Sequence, residues 1–68
     1  MADETAFLLP DHKAAALLGI SRAKLWRGAK SSELPAPVKL GGRTLWRRDE
    51  LLAVVERATA ERDAEEAA

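Results

Sequence analysis

The stretch from Ala14 to Leu25, Ala-Ala-Ala-Leu-Leu-Gly-Ile-Ser-Arg-Ala-Lys-Leu, constrains this chain more than any other part of it. Small Ala14 and Ala15 and apolar Leu18, at i and i+4, make one face of a first helix. Gly19 follows, able to take the left-handed conformation that ends a helix because it has no Cβ to clash. Ile20 plugs the corner. Ser21 then offers its side-chain oxygen as the N-cap of a second helix. That helix sets Leu25 against the first and leaves Arg22, Lys24 and Arg27 outside. Two helices crossing at so short a turn approach most closely near Ala15, which is why a small residue is needed there.

Sixty-eight residues make one small domain with one modest core, burying about 60% of the surface of the unfolded chain. There is no cysteine and a single histidine, His12, so neither a disulfide framework nor a cysteine-histidine metal site can be drawn, and no cofactor or metal is expected. His12 reads as a solvent-facing residue near a helix start. With no clustered carboxylates in the middle of the chain, no catalytic set can be assembled, and an enzyme is not expected. No apolar run approaches the ~18 residues of a membrane span, and Met1-Ala2-Asp3-Glu4 lacks the basic start of a secretory signal. The expected location is cytoplasmic, at the nucleoid, with no membrane partner.

The formal net charge of zero conceals a strong asymmetry. From His12 to Arg48 there are nine Lys or Arg and one acid, Glu33. Residues 1–11 carry Asp3, Glu4 and Asp11 without a base, and residues 49–68 carry seven acids against Arg57 and Arg62. A basic middle between acidic ends points to a polyanionic partner.

Taken in order, residues 1–6 are small and polar and are expected to be disordered, whereas Phe7-Leu8-Leu9 must find cover. Pro10 suits a first helical turn and Asp11 the positive end of the helix dipole, so helix one is expected from about Pro10 to Leu18, with Leu17 and Leu18 buried. Helix two runs from Arg22 to about Lys30. Its weak point is Gly28, which costs ~1 kcal/mol relative to alanine and either admits another segment closely or shortens the helix. Leu34-Pro35-Ala36-Pro37 must be an extended, stiff connector.

Val38-Lys39-Leu40 and Arg43-Thr44-Leu45-Trp46 flank Gly41-Gly42, the signal for a tight hairpin with positive φ at both turn positions. Alternation puts Val38 and Leu40 on one face with Leu45 as a candidate to join them. A ribbon of two strands must pack on a helix to be stable, which makes it a wing. Asp49 is expected to cap a third helix carrying an apolar stripe of Leu51, Val54, Val55 and Ala58, broadened by Leu52. Leu18, Ile20, Leu25, Leu40, Val54 and Val55 are assigned to the core, and Trp26 and Trp46 to core packing. The expected fold is mainly α with a small β-hairpin: a winged helix-turn-helix domain over residues 7–58, then an acidic helical tail over 59–68 that frays.

The order of these motifs resembles the small MerR-like winged helix-turn-helix proteins typified by AlpA-type regulators and by phage and plasmid excisionases. The resemblance rests on Ala14 to Arg22, on Leu34-Pro35-Ala36-Pro37-Val38-Lys39-Leu40-Gly41-Gly42-Arg43, and on Leu45-Trp46-Arg47-Arg48-Asp49-Glu50-Leu51, and spans about residues 7–56. The chain departs from it at Gly28, where a large apolar residue is usual, at Ser32, where glycine is usual, and at Val54, where tryptophan is common. Trp26 stands where tyrosine is frequent and is expected to fill volume vacated by Gly28.

The resemblance implies binding of double-stranded DNA, with helix two in a major groove and the hairpin tip in an adjacent minor groove. Arg22, Ala23 and Arg27 are then the groove-facing set and Lys24 and Lys30 face phosphates. Arg43 on the wing suits the minor groove, and Lys39, Arg47 and Arg48 the backbone. Ser21 caps its helix and is a further phosphate donor. An excisionase-like recombination directionality factor is the leading expectation, with an integrase as partner and cooperative contacts between copies along DNA. A transcriptional regulator is the alternative, and a basic protein-interaction module is ranked below both.

Overall fold

A left-handed glycine sets the corner on which the chain turns. In the computed structural model, which describes residues 6–67, α1 (Asp11–Leu18) ends at Gly19 with φ 71° and ψ 29°. The amides of Gly19 and Ile20 close back onto the carbonyls of Ala16 and Ala15 at 3.1 and 3.0 Å, satisfying groups a helix end would otherwise orphan. After Ser21 the chain enters α2 (Arg22–Lys30). Both helices lie where residue spacing puts them, except that Pro10 is the N-cap of α1 and not its first helical residue. The expected disorder of residues 1–6 lies outside the described residues, apart from Ala6, which packs against the core.

Gly28 is where another segment comes close. Leu34 lies over it, so that a Cβ on Gly28 would stand 2.5 Å from Leu34 Cδ1 and 2.7 Å from Cγ. The Leu34 amide also donates to the Gly28 carbonyl at 3.0 Å, pinning the start of the connector to α2. The space beside Gly28 is therefore filled by Leu34, not by Trp26 as expected. Trp46, fully buried, holds the next residue of the same connector by donating its indole N–H to the Pro35 carbonyl at 3.0 Å. A buried tryptophan whose one polar group is satisfied contributes a large apolar area without a desolvation cost.

The wing forms as β2 (Val38–Leu40) and β3 (Arg43–Arg47), joined by Gly41 and Gly42 with φ 59° and 79°. It is not the whole sheet. Leu8 and Leu9 form β1 (Leu8–Leu9), which pairs antiparallel with Arg47 and Trp46, so the sheet has three strands in the order β1-β3-β2. This pairing is how the Phe7-Leu8-Leu9 run finds cover, Leu9 being almost fully buried.

The register puts Leu45 on the face of Val38 and Leu40, as alternation suggests, and Leu45 is buried, but Leu40 is not part of the core, contrary to its assignment. Val38 pairs with Leu45 and Leu40 with Arg43, so these residues share one face of the ribbon while Trp46 lies on the other. The face that meets the helices is that of Trp46 and Leu9, which leaves Leu40 58% exposed.

Helix α3 (Arg48–Ala67) starts two residues earlier than a cap at Asp49 requires, so Asp49 is not the N-cap; Asp49 and Glu50 occupy the first turn, where carboxylates are favoured by the positive end of the dipole. Leu51 is its fully buried residue and reaches a core of Leu9, Ala14, Ala15, Leu25 and Trp46. Val54 is half-buried and Val55 is 42% exposed, contrary to their assignment to the core. The reason is length: α3 crosses α1 near its own start and then runs on past the body of the domain. Leu18 and Ile20 are likewise half-buried and pack on the edge of the core.

Candidate nucleic-acid interface

Ser21 holds extended geometry at φ −76° and ψ 159°, and its Oγ accepts the Lys24 amide at 3.1 Å. The cap fixes where α2 begins, and the buried residues Leu25 and Gly28 fix which way it faces. At 3.6 residues per turn, Ala23, Arg27 and Lys30 emerge on the opposite side, one above the other, and all three are exposed. This face combines a small residue, which allows close approach, with two cations.

Arg22 and Trp26 share the flank of α2 that looks toward the start of α1. Both donate to one oxygen: Trp26 Nε1 lies 3.1 Å and Arg22 Nε 3.3 Å from Asp11 Oδ2. The Trp26 indole hydrogen bond, with the Arg22 guanidinium behind it, holds the Asp11 carboxyl below the usual carboxylate range against the opposing effect of partial burial. Trp26 in turn meets Trp46 edge to face, with ring centroids 4.8 Å apart and planes at 81°. Trp26 remains 42% exposed, so it covers Trp46 and also presents surface to solvent. Beside it, Trp26, Arg27, Lys30 and Pro37 line an open concavity of about 470 Å³ between α2 and the approach to the wing.

Lys24 lies on the other flank of α2. There it lines an apolar groove of about 490 Å³ with Leu18, Ile20, Leu34, Val54 and Val55. The expected groove-facing set of Arg22, Ala23 and Arg27 is thus divided: Ala23 and Arg27 look outward, whereas Arg22 stands on a flank. Of the two lysines expected at phosphates, Lys30 shares the outward face and Lys24 stands on the flank opposite Arg22.

On the wing, Lys39 and Arg43 are exposed on either side of the Gly41-Gly42 turn. Arg43 shares its face with exposed Leu40, its cross-strand partner. Arg47 is engaged within the protein: its Nη2 and Nε bind the two oxygens of Asp49 at 2.9 and 3.2 Å, and its guanidinium sits 4.8 Å above the Phe7 ring. Arg48 is half-buried; its amide donates to the Phe7 carbonyl at 2.8 Å, and its Nε is buried with no hydrogen-bond partner among the described residues. The Arg47 guanidinium and the Arg48 backbone amide tie β3 and the start of α3 to Phe7, just before β1, and this use of the Arg47 side chain is one that sequence spacing did not reveal. Asp11 was also missed as part of the site, because no local spacing relates it to Trp26, fifteen positions away.

No group of His, Cys, Asp and Glu among the described residues could hold a metal ion, and no described helix is long and apolar enough to cross a membrane. Compared with known families, residues 13–59 match the model of a helix-turn-helix domain. No curated protein and no solved structure matches the chain.

Proposed function

The chain belongs to the helix-turn-helix domain family, and on that premise we propose that it binds double-stranded DNA sequence-specifically and acts as an excisionase-like recombination directionality factor. The observation that carries the binding reading is the Ser21-capped α2, whose outward face of Ala23, Arg27 and Lys30 is covered by no other described part of the chain. A helix with a small residue and two cations on its free face meets the steric and electrostatic demands of a major groove. Arg43 and Leu40 at the wing supply a cation and an apolar contact, the pairing used in minor grooves. Lys24, Lys30, Lys39 and Arg48 are assigned to phosphates. Arg47 is assigned to the fold first, because Asp49 and Phe7 already occupy its guanidinium.

The excisionase-type role rests on the resemblance in motif order and spacing, and it brings with it an integrase and neighbouring copies of the chain as partners. Selection from a random duplex library tests the reading. Convergence on one motif that lies beside attachment sites in the source genome is expected. Convergence on a motif at promoters would replace this role with that of a transcriptional regulator, and failure to enrich any motif would contradict sequence-specific binding.

A further inference from the structure

An acid among the side chains of a polyanion-binding surface works against the net attraction, and Asp11 is such an acid. Its carboxylate is the only partner of Arg22 among the described residues. Placement in the first turn of α1 accounts for a favourable dipole interaction but not for its aim. Oδ2 is turned across to α2, where it receives Trp26 Nε1 and Arg22 Nε together. With 23% of its side-chain surface exposed, and with Trp26 braced edge-on against buried Trp46, the carboxylate stands on a rigid base.

The geometry at Arg22 matters for what it leaves free. A guanidinium has five N–H donors, and Asp11 takes the one on Nε, so the terminal nitrogens keep their donors. Phosphate attracts arginine chiefly through net charge, at any sequence. Guanine attracts it through two acceptors, O6 and N7, that match the planar fork. A guanidinium paired to a carboxylate loses much of the first attraction and retains the second.

We propose that Asp11 is a specificity-determining positioning residue of the DNA interface: held through Nε, Arg22 is weakened as a phosphate contact and is aimed, by its free terminal nitrogens, at a base edge. This inference rests on the DNA-binding reading above. Asp11→Asn removes the charge and keeps an oxygen acceptor for Trp26; Asp11→Ser is a second uncharged variant should the first fold poorly.

The experiment compares wild type, Asp11→Asn, Asp11→Ser, Arg22→Ala and the Asp11→Asn/Arg22→Ala double variant on two duplexes across a salt series. One duplex is the motif selected with wild type and the other is its scrambled sequence. Asp11→Asn is expected to bind the scrambled duplex about three- to eightfold more tightly, with a log–log salt slope steeper by about 0.9, the signature of one added phosphate contact. Affinity for the selected duplex changes less, so the selectivity ratio falls, and in the Arg22→Ala background the same substitution leaves the ratio unchanged. An unchanged ratio in both uncharged variants, or an equal fall without Arg22, overturns the inference while leaving DNA binding intact. Absence of binding to either duplex by wild type overturns both.

Discussion

At Gly28 two opposing costs meet at one atom. A methyl group there recovers about 1 kcal/mol of helix propensity, but it would press on Leu34, whose backbone is held by the Gly28 carbonyl and followed by Pro35. Overpacking of this kind costs about 1–3 kcal/mol, so Gly28→Ala is expected to destabilise by about 1 kcal/mol in urea melts. The sign should reverse in a Leu34→Ala background, where the methyl group meets no obstacle. Ser32 is the opposite case. It holds φ 68°, the one described non-glycine residue with positive φ, a conformation that costs an L-residue about 1–2 kcal/mol. Ser32→Gly should stabilise by about 0.5–1 kcal/mol after the added freedom of the unfolded chain is counted, seen as a rise in Tm of a few degrees. Asp11 supplies a pH test. Its folded carboxyl is held below the usual range, so its stabilising effect is complete at neutral pH and is lost as pH falls below about 4 and through the folded value. Wild type is expected to melt above Asp11→Asn at pH 7, with the gap closing on acidification.

Among the elements, the helices of the corner were the most legible, because each boundary is signed by one residue with one physical role. Gly19 ends α1 and Ser21 starts α2, and both do so in the structure. The hairpin was equally legible through Gly41-Gly42. Its inward face was not, because Leu45 and Trp46 are adjacent and both apolar, so alternation alone leaves two choices. The choice is made by β1, two residues too short to show a period, whose Leu9 pairs with Trp46 and closes the core. In the same way α3 reads as an amphipathic stripe to Ala58, yet only Leu51 is fully buried, and from Val54 to Thr59 the helix borders an open groove. Residues 60–67 are all exposed, and Glu65 and Glu66 stand where the dipole disfavours acids. A helical segment without packing is marginal in water. Hydrogen exchange should therefore find the amides of residues 60–67 among the fastest in the helices and that of Leu51 among the slowest.

For the whole molecule, the charge layout in the sequence corresponds to a surface more closely than to individual side-chain contacts. The basic middle does contain the free face of α2 and the tip of the wing. One of its arginines, Arg47, is drawn into packing on Phe7 and pairing with Asp49, and a second, Arg22, is bridled by Asp11. None of this follows from residue spacing, since each contact joins distant elements or depends on the path the strand takes. We propose that the free face of α2, together with the wing, is a DNA interface. It is tested most directly by titrating the protein onto duplex DNA from low to high salt, alongside Arg27→Ala and Lys30→Ala. About four neutralised phosphates predict a log–log slope near −3.6, and each substitution that removes a phosphate contact should flatten it by about 0.9. Binding that shows no salt dependence and is indifferent to both substitutions, or no binding at low salt, would contradict the account.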